Sequence, residues 1–267
     1  MSAAAPTPSV APAPTAPARP RTGAYRDAGA IRRERVRAAR WTTSGTAKVT
    51  GDVDVGEGRF AGLLSIGGRL VADRVSADGA LEVAGALDVH DALAVVGTLR
   101  ASGTFHAGSV AVRGTLIASS ALAVERDLRL TGVGEVPSAR VGLLELDGGL
   151  TIPGEIVSRT SVRGRFRSDS ALGEIRAPTV ELKGPPPGLV PKLLRKVFGG
   201  AARVRVERID AERADLEAVD VGFLRAGEIV LGAGAQVTAV EGTIVRQHPS
   251  AHVGPVSRTP PPHGLSR

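Results

Sequence analysis

The residues with the clearest chemical potential are five histidines and a scatter of acidic side chains. His248 and His252 are four residues apart, a spacing that can ligate a metal on a helix, but Pro249 between them argues against a helix there. His90 and His106 lie within a regular repeat and should point outward from it. An outward histidine near a cleft between subunits is the base that a hexapeptide-repeat acyltransferase needs. These two residues are therefore the candidates for that enzyme class.

Other catalytic chemistry has less support in the sequence. Paired carboxylates on a β-helix face can hydrolyse sugars, but the acidic residues of the repeats are mixed with Arg, Ser and Thr and form no cluster. No GxGxxG or GxxxxGK[ST] motif is present, so a nucleotide site is not indicated. The chain has no Cys, which excludes disulfides and Cys-ligated metal sites. We therefore expect no enzymatic activity, no cofactor and no metal.

The elements that must position these side chains form a six-residue repeat, clearest from residue 80 to residue 132. Its units begin ALEVAG, ALDVHD, ALAVVG, TLRASG and TFHAGS, and after a one-residue slip they continue as TLIASS, ALAVER and DLRLTG. Apolar residues two apart mark a strand with one buried face, and Gly, Ser or Asp at the unit ends marks a bend. The repeat predicts an all-β fold, a single-stranded right-handed parallel β-helix whose triangular coils have about 18 residues. The predicted core residues are Leu81, Val83, Leu87, Val89, Leu93, Val95, Leu99, Phe105, Leu116, Leu122 and Leu128.

Composition and charge divide the chain into five segments. Residues 1–48 hold nine basic and two acidic side chains, a net charge of +7, while the other 219 residues are balanced. We expect a disordered basic arm over 1–44, within which 27–41 has weak helical character, and a β-helix over 45–184. A Pro-rich insert over 185–200 contains a predicted amphipathic helix, the β-helix continues over 201–246, and 247–267 is a disordered Pro-rich tail.

Two segments are candidate contact sites. The arm should attract an anionic membrane surface, or nucleic acid as the alternative, or should remain a solvated tail. Its candidate residues are Arg32, Arg33, Arg35, Arg37, Arg40 and Trp41. The insert should dock its apolar face on the solenoid, a membrane or a partner through Leu193, Leu194, Val197 and Phe198.

A basic N-terminus, a Cys-free solenoid with hexads such as GALEVAGALDVHDALAVVGTLRASG, and a Pro-rich tail together resemble the bactofilins, polymer-forming bacterial cytoskeletal proteins. The resemblance covers residues 45–184 and, more loosely, 201–246. It implies end-to-end assembly into filaments without nucleotide, in the cytoplasm and often at the inner face of the cell membrane, with unknown cargo proteins as further partners. The longer solenoid and the insert depart from the usual pattern. The left-handed hexapeptide helix of acyltransferases is the rival, but it places one aliphatic residue per hexad, whereas two are frequent here.

The ends of a solenoid favour polymerisation on physical grounds as well. Terminal coils expose apolar core and unpaired backbone groups unless a cap covers them. The sequence shows no strong cap before Gly45, and Val240, Ile244 and Val245 are the candidates for contact with the next subunit at the other end.

Overall fold

A computed structural model of the chain describes residues 21–185 and 203–257. These residues form fourteen strands and no helix, so they include no helix able to cross a bilayer. In chain order the strands are β1 (Ala24–Arg33), β2 (Val36–Val49), β3 (Val53–Ile66), β4 (Leu70–Val83), β5 (Leu87–Ala101), β6 (Phe105–Ala118), β7 (Leu122–Glu135), β8 (Ala139–Phe166), β9 (Ser170–Lys183), β10 (Val204–Glu217), β11 (Asp220–Leu231), β12 (Gln236–Gln247), β13 (His252–Val253) and β14 (Val256–Ser257).

All strand pairs are parallel, and from β1 to β13 each strand lies beside the next one in sequence, so the chain winds as a β-solenoid. The last strand, β14, also pairs with β12. Val36 pairs with Val53 and Val53 with Leu70, which makes these turns 17 residues long, one fewer than expected. The strand β8 covers more than one turn. The solenoid is continuous on both sides of residues 186–202, because β9 pairs directly with β10. The fold class predicted from the hexads is therefore confirmed.

Each turn directs three pairs of side chains inward. In β4 these are Leu70 and Ala72, Val75 and Ala77, and Leu81 and Val83, all at most 4% exposed. The eleven core residues named from the repeat are at most 3% exposed. A narrow interior built from Leu, Val, Ile and Ala explains why the chain needs so few aromatic residues.

One corner of the solenoid is a ladder of glycines. Eight of them are register partners on successive turns, and all have φ between +83° and +147°, a conformation that favours glycine. A side chain at most of these positions would also collide with the carbonyl oxygen of the preceding glycine. The ladder thus fixes both the sharp bend and the close approach of the turns. Its members are Gly29, Gly45, Gly62, Gly79, Gly97, Gly114, Gly132 and Gly148.

The solenoid begins earlier than the sequence indicated. Residues 24–33 and 36–49 form β1 and β2, so the expectation of a disordered or helical segment before Gly45 is wrong for residues 24–44. The physical reason is the inward alternation of Val36 and Ala38, then Trp41 and Thr43, which the many outward arginines obscure.

The C-terminal boundary of the solenoid also differs from the predicted one. The strands β13 and β14 add pairing after residue 247, where a disordered tail was expected. Residues 1–20, 258–267 and the predicted contact residues Leu193, Leu194, Val197 and Phe198 lie outside the described residues.

Candidate functional site

The N-terminal end of the solenoid places charge at inward positions. In β1, Asp27 is the register partner of buried Thr43, and Arg33 is the partner of buried Val49. Asp27 and Arg33 therefore lie across the end of the core. The next two turns carry Thr43 and Phe60 at the position of Asp27, and Val49 and Ile66 at the position of Arg33. Neither residue was expected inside the fold.

These two residues form a polar cap with the two aromatic side chains beside them. Arg33 donates from Nη2 to Asp27 Oδ1 at 2.7 Å and from Nε to Oδ2 at 3.1 Å. Trp41 donates its indole N–H to Asp27 Oδ2 at 3.0 Å, and the Arg33 guanidinium lies 5.2 Å from the centre of the Tyr25 ring. The bond from Arg33 is the main reason that the pKa of Asp27 lies below its usual range, and the bond from Trp41 adds to it. The expectation that this end has no strong cap is wrong.

The cap also changes the role of Trp41. Its side chain is fully buried and packs edge-to-face on Phe60, with ring centres 5.1 Å apart. Trp41 therefore stabilises the core, and the prediction that it contacts a membrane or nucleic acid is wrong. An indole needs a hydrogen-bond acceptor when it is buried, and Asp27 supplies it.

Basic side chains surround this capped end. Residues 21–49 hold eight basic and two acidic side chains, a net charge of +6, and most of them lie in the strands β1 and β2. Arg26, Arg32, Arg35 and Lys48 are exposed. The other two candidate arginines face carboxylates, Arg40 with Glu57 at 2.9 Å and Arg37 with Asp54 at 3.5 Å. We call residues 21–49 the basic end.

Arg21 ties the start of the described chain to the flank of the solenoid. Its guanidinium binds Asp54 at 2.7 Å and Asp73 at 2.8 Å, on the third and fourth strands. The backbone carbonyl of Gly23 accepts hydrogen bonds from the N–H groups of Ala39 and Arg40. The described part of the chain thus begins on the side of the solenoid.

The C-terminal end is only partly covered. Val240 is 1% exposed, because β14 pairs with this part of β12, so it is not available for contact as the sequence suggested. Ile244 is half-buried, and Val245 is 63% exposed. Two-residue strands pair with β12 at positions 236–237 and 240–241, which leaves the later part of β12 without a strand partner among the described residues.

The four histidines among the described residues lie on exposed surfaces. His90 Nδ1 is 3.2 Å from Asp73, and His106 Nδ1 is 3.3 Å from Asp88, on an open flank of the solenoid. His248 contacts Ser250 in a turn, and His252 lies in β13. Within the described ranges no three His, Asp or Glu side chains are arranged to hold a metal ion.

The side faces carry charges of alternating sign. A shallow groove of about 370 Å³ illustrates this: Arg129 lies 3.1 Å from Glu145 on its wall, and Lys183 lies 2.8 Å from Glu181. The bond from Lys183 is the main cause that lowers the pKa of Glu181. Because such charges neutralise one another locally, the faces are solvated and discourage sideways association.

By its fold the chain belongs to the class of parallel β-solenoids. Its N-terminal end is capped and basic. Comparison with family models, with curated proteins and with solved structures gives no significant match. Sequence reasoning missed the roles of Arg21, Asp27 and Arg33. The signal of Asp27 and Arg33 is weak, since a charged residue at an inward position of a terminal turn looks like a break in the repeat. Arg21 lies before the first strand, so the repeat carries no signal for it.

Proposed function

We propose that this chain is a non-enzymatic structural protein that assembles with copies of itself by stacking solenoids end to end. The observation that carries the proposal is the unpaired outer edge of β1. All ten residues of β1 pair with β2 on one side, and no described strand lies on the other. Unpaired N–H and C=O groups along a regular edge are a template for another strand.

The side faces support the same proposal by limiting the direction of growth. Alternating ion pairs run along the flanks, as with Arg74 and Asp91 at 2.6 Å and Arg167 and Asp147 at 2.5 Å. Association through such faces would require these pairs to lose water with little apolar area gained. Growth at the two ends alone gives a filament one solenoid wide, and the resemblance to the bactofilins implies the same kind of assembly.

Negative-stain microscopy of the purified full chain tests the proposal. We expect filaments of single-solenoid width without added nucleotide, and no change in their number or length when ATP or GTP is added. Light scattering across a dilution series provides the matched solution measurement, since stacking is a concentration-dependent equilibrium. A chain that remains monomeric at every concentration would contradict the proposal.

The basic end favours a second candidate function, binding to an anionic membrane surface. Arg26, Arg35 and Lys48 project from the two first turns and make no ion pair among the described residues. Clustered basic residues are attracted to anionic lipids, each by about 1 kcal/mol near the surface. Such binding would hold the assembly at the inner face of the cell membrane. Duplex DNA offers a similar charge, and vesicles and DNA compared at the same salt concentration distinguish the two partners.

A further inference from the structure

We infer that two copies of the chain pair side by side and antiparallel along the corner formed by the glycine ladder, with Val96 of one copy against Val96 of the other. This inference goes beyond the proposed function, because it concerns a lateral contact and not the ends of the solenoid. Three features of the described residues support it: the position of exposed apolar side chains, the symmetry of their spacing, and the charges beside them.

Exposed apolar side chains concentrate on this corner. Of the five large apolar side chains that are exposed among the described residues, three lie directly beside glycines of the ladder. They are Leu63, Val96 and Val133, which are 40%, 52% and 48% exposed. Since the flanks carry ion pairs instead, the corner offers apolar area that a neighbouring molecule can cover.

The three side chains are spaced symmetrically about Val96. Leu63 and Val133 belong to one column of register partners, in which Thr98 is the middle member, two turns from each. Val96 lies on the same turn as Thr98, on the other side of the corner, so two turns of about 10 Å separate it from each of the other two. A two-fold axis across the solenoid at this turn therefore places Val96 against its own copy and Leu63 against Val133 of the second copy.

Two charged residues have the same symmetry. Asp78 and Arg113 are the register partners of Val96 on the preceding and the following turn. Both are exposed, and their side chains make no hydrogen bond or ion pair among the described residues. In the single chain Val96 lies between them, whereas the two-fold axis places Asp78 of each copy against Arg113 of the other. The paired state therefore gains two ion pairs that the single chain does not have.

A parallel pair would not use these charges. If two copies ran in the same direction, the two-fold axis would lie along the solenoids, and each turn would face the same turn of the second copy. Asp78 would then face Ala80 across the corner and would lose water without gaining a partner. The same holds for Arg113 and Thr115. Charge complementarity therefore selects the antiparallel pair.

The side chains around the centre of this contact are small and uncharged, so two corners can approach closely. On the three central turns they are Ser76, Ala94 and Ala111 on one side of the corner and Ala80, Thr98 and Thr115 on the other. Contact along one corner covers little area, so the pairing of two single chains is weak. It becomes stronger when the copies of a filament repeat it. Filaments of single-solenoid width therefore remain the expected species in dilute solution, and they pair as the concentration rises.

Cysteine cross-linking tests the pairing, because the chain has no native Cys and the reaction traps a contact even when it is short-lived. Val96 lies on the two-fold axis, so Val96→Cys should give covalent dimers on oxidation or with a short bifunctional maleimide. Leu63→Cys and Val133→Cys should give no dimer when each is treated alone, and dimers when they are mixed in equal amounts. The control is Arg140→Cys, an exposed position away from the corner, which should give none.

Charge reversal provides a second measurement. Asp78→Arg brings two arginines together at each of the two contacts and should abolish the cross-linking of Val96→Cys. The further change Arg113→Asp restores opposite charges and should restore the cross-link. All these positions are exposed, so the variants should fold like the unsubstituted chain, which circular dichroism checks.

Dimers of Leu63→Cys alone would indicate a parallel pair, and equal cross-linking of Val96→Cys and Arg140→Cys would indicate random collision. Either result would overturn the inference. Filaments without a cross-link through Val96→Cys would also overturn it, but would leave the proposed end-to-end assembly standing. If microscopy shows no filament while the cross-links follow the expected pattern, the proposed function fails and the lateral pair stands.

Discussion

Substitution of Gly97 by Ala should disrupt the solenoid locally, because this glycine lies in the middle of the corner ladder. Its φ is +124°, which an alanine rarely adopts, and an added Cβ would overlap the carbonyl oxygen of Gly79 on the preceding turn. Gly29, at the outer end of the same ladder, has φ +83° and no atom within 4 Å of an added Cβ. Comparison of Gly29→Ala with Gly97→Ala therefore separates the cost of the positive φ from the cost of the overlap with the preceding turn.

The magnitudes follow from these two causes. A strained backbone conformation costs about 1–3 kcal/mol, and this is the whole effect expected for Gly29→Ala. Gly97→Ala adds the overlap with a backbone atom, which cannot rotate away, and overpacking costs about 1–3 kcal/mol more. We therefore expect about 2–6 kcal/mol for Gly97→Ala. Gly45, whose added Cβ would lie 2.7 Å from the Gly29 oxygen, should fall between the two variants.

Chemical denaturation followed by far-ultraviolet circular dichroism measures the free energy of unfolding of each variant. The solenoid is a series of similar turns, so the transition of Gly97→Ala should become broader or divide into two steps. Equal destabilisation by Gly29→Ala and Gly97→Ala would refute the reasoning, since it would mean that contact between turns at the corner has no energetic role.

Four further predictions concern the core, the cap, a buried hydroxyl and the basic end. Leu99→Asp buries an unpaired charge and should destabilise the chain by several kcal/mol, about 3–5, in the same denaturation assay, and a smaller loss would place Leu99 near water. Asp27→Asn should cost about 1–3 kcal/mol at pH 7, because Asn is uncharged and keeps only one acceptor oxygen for the three hydrogen bonds from Arg33 and Trp41. The pKa of Asp27 is lowered in the folded chain, so its ionised carboxylate stabilises the fold above about pH 4, and this stabilisation is lost as the pH falls further. The stability of the Asn variant should therefore depend less on acid pH in pH-jump unfolding. Thr43 has a buried hydroxyl without a partner, and Thr43→Val should stabilise the chain by about 1 kcal/mol in thermal unfolding; a loss of stability would reveal a missed hydrogen bond. Arg26→Gln with Arg35→Gln should weaken sedimentation with anionic vesicles by about 2 kcal/mol, roughly 30-fold, and leave neutral vesicles unaffected, whereas unchanged binding would exclude the basic end as the contact.

The hexads were sufficient to predict the interior of the solenoid, because burial on one face imposes a period that survives in the sequence. Leu81, Leu99 and Leu122 occupy equivalent inward positions for this reason, and each is at most 1% exposed. The one-residue slips in the repeat correspond to places where the register shifts, such as that between Val89 and Ala92 in the pairing of β5 with β6.

The ends were harder to predict, because a terminal turn has different requirements from an internal one. An inward position there faces solvent on one side, so Arg33 and Asp27 replace the apolar pair and hide the repeat. Trp41 illustrates the same difficulty, since its neighbours in sequence are basic and its contacts, Phe60 and Asp27, come from other turns. Contacts over 14 to 19 residues leave no mark in a six-residue pattern.

The cap has a spectroscopic consequence. The chain has one Trp and one Tyr, and both lie in the first two turns, at Trp41 and Tyr25. Intrinsic fluorescence excited near 280 nm therefore reports only the environment of the N-terminal end, while circular dichroism averages over every strand. If the N-terminal end unfolds before the rest of the solenoid, the fluorescence will change before the circular dichroism does. The molecule thus carries a native optical label at one end, and its emission can follow the arrival of a neighbour there without any dye.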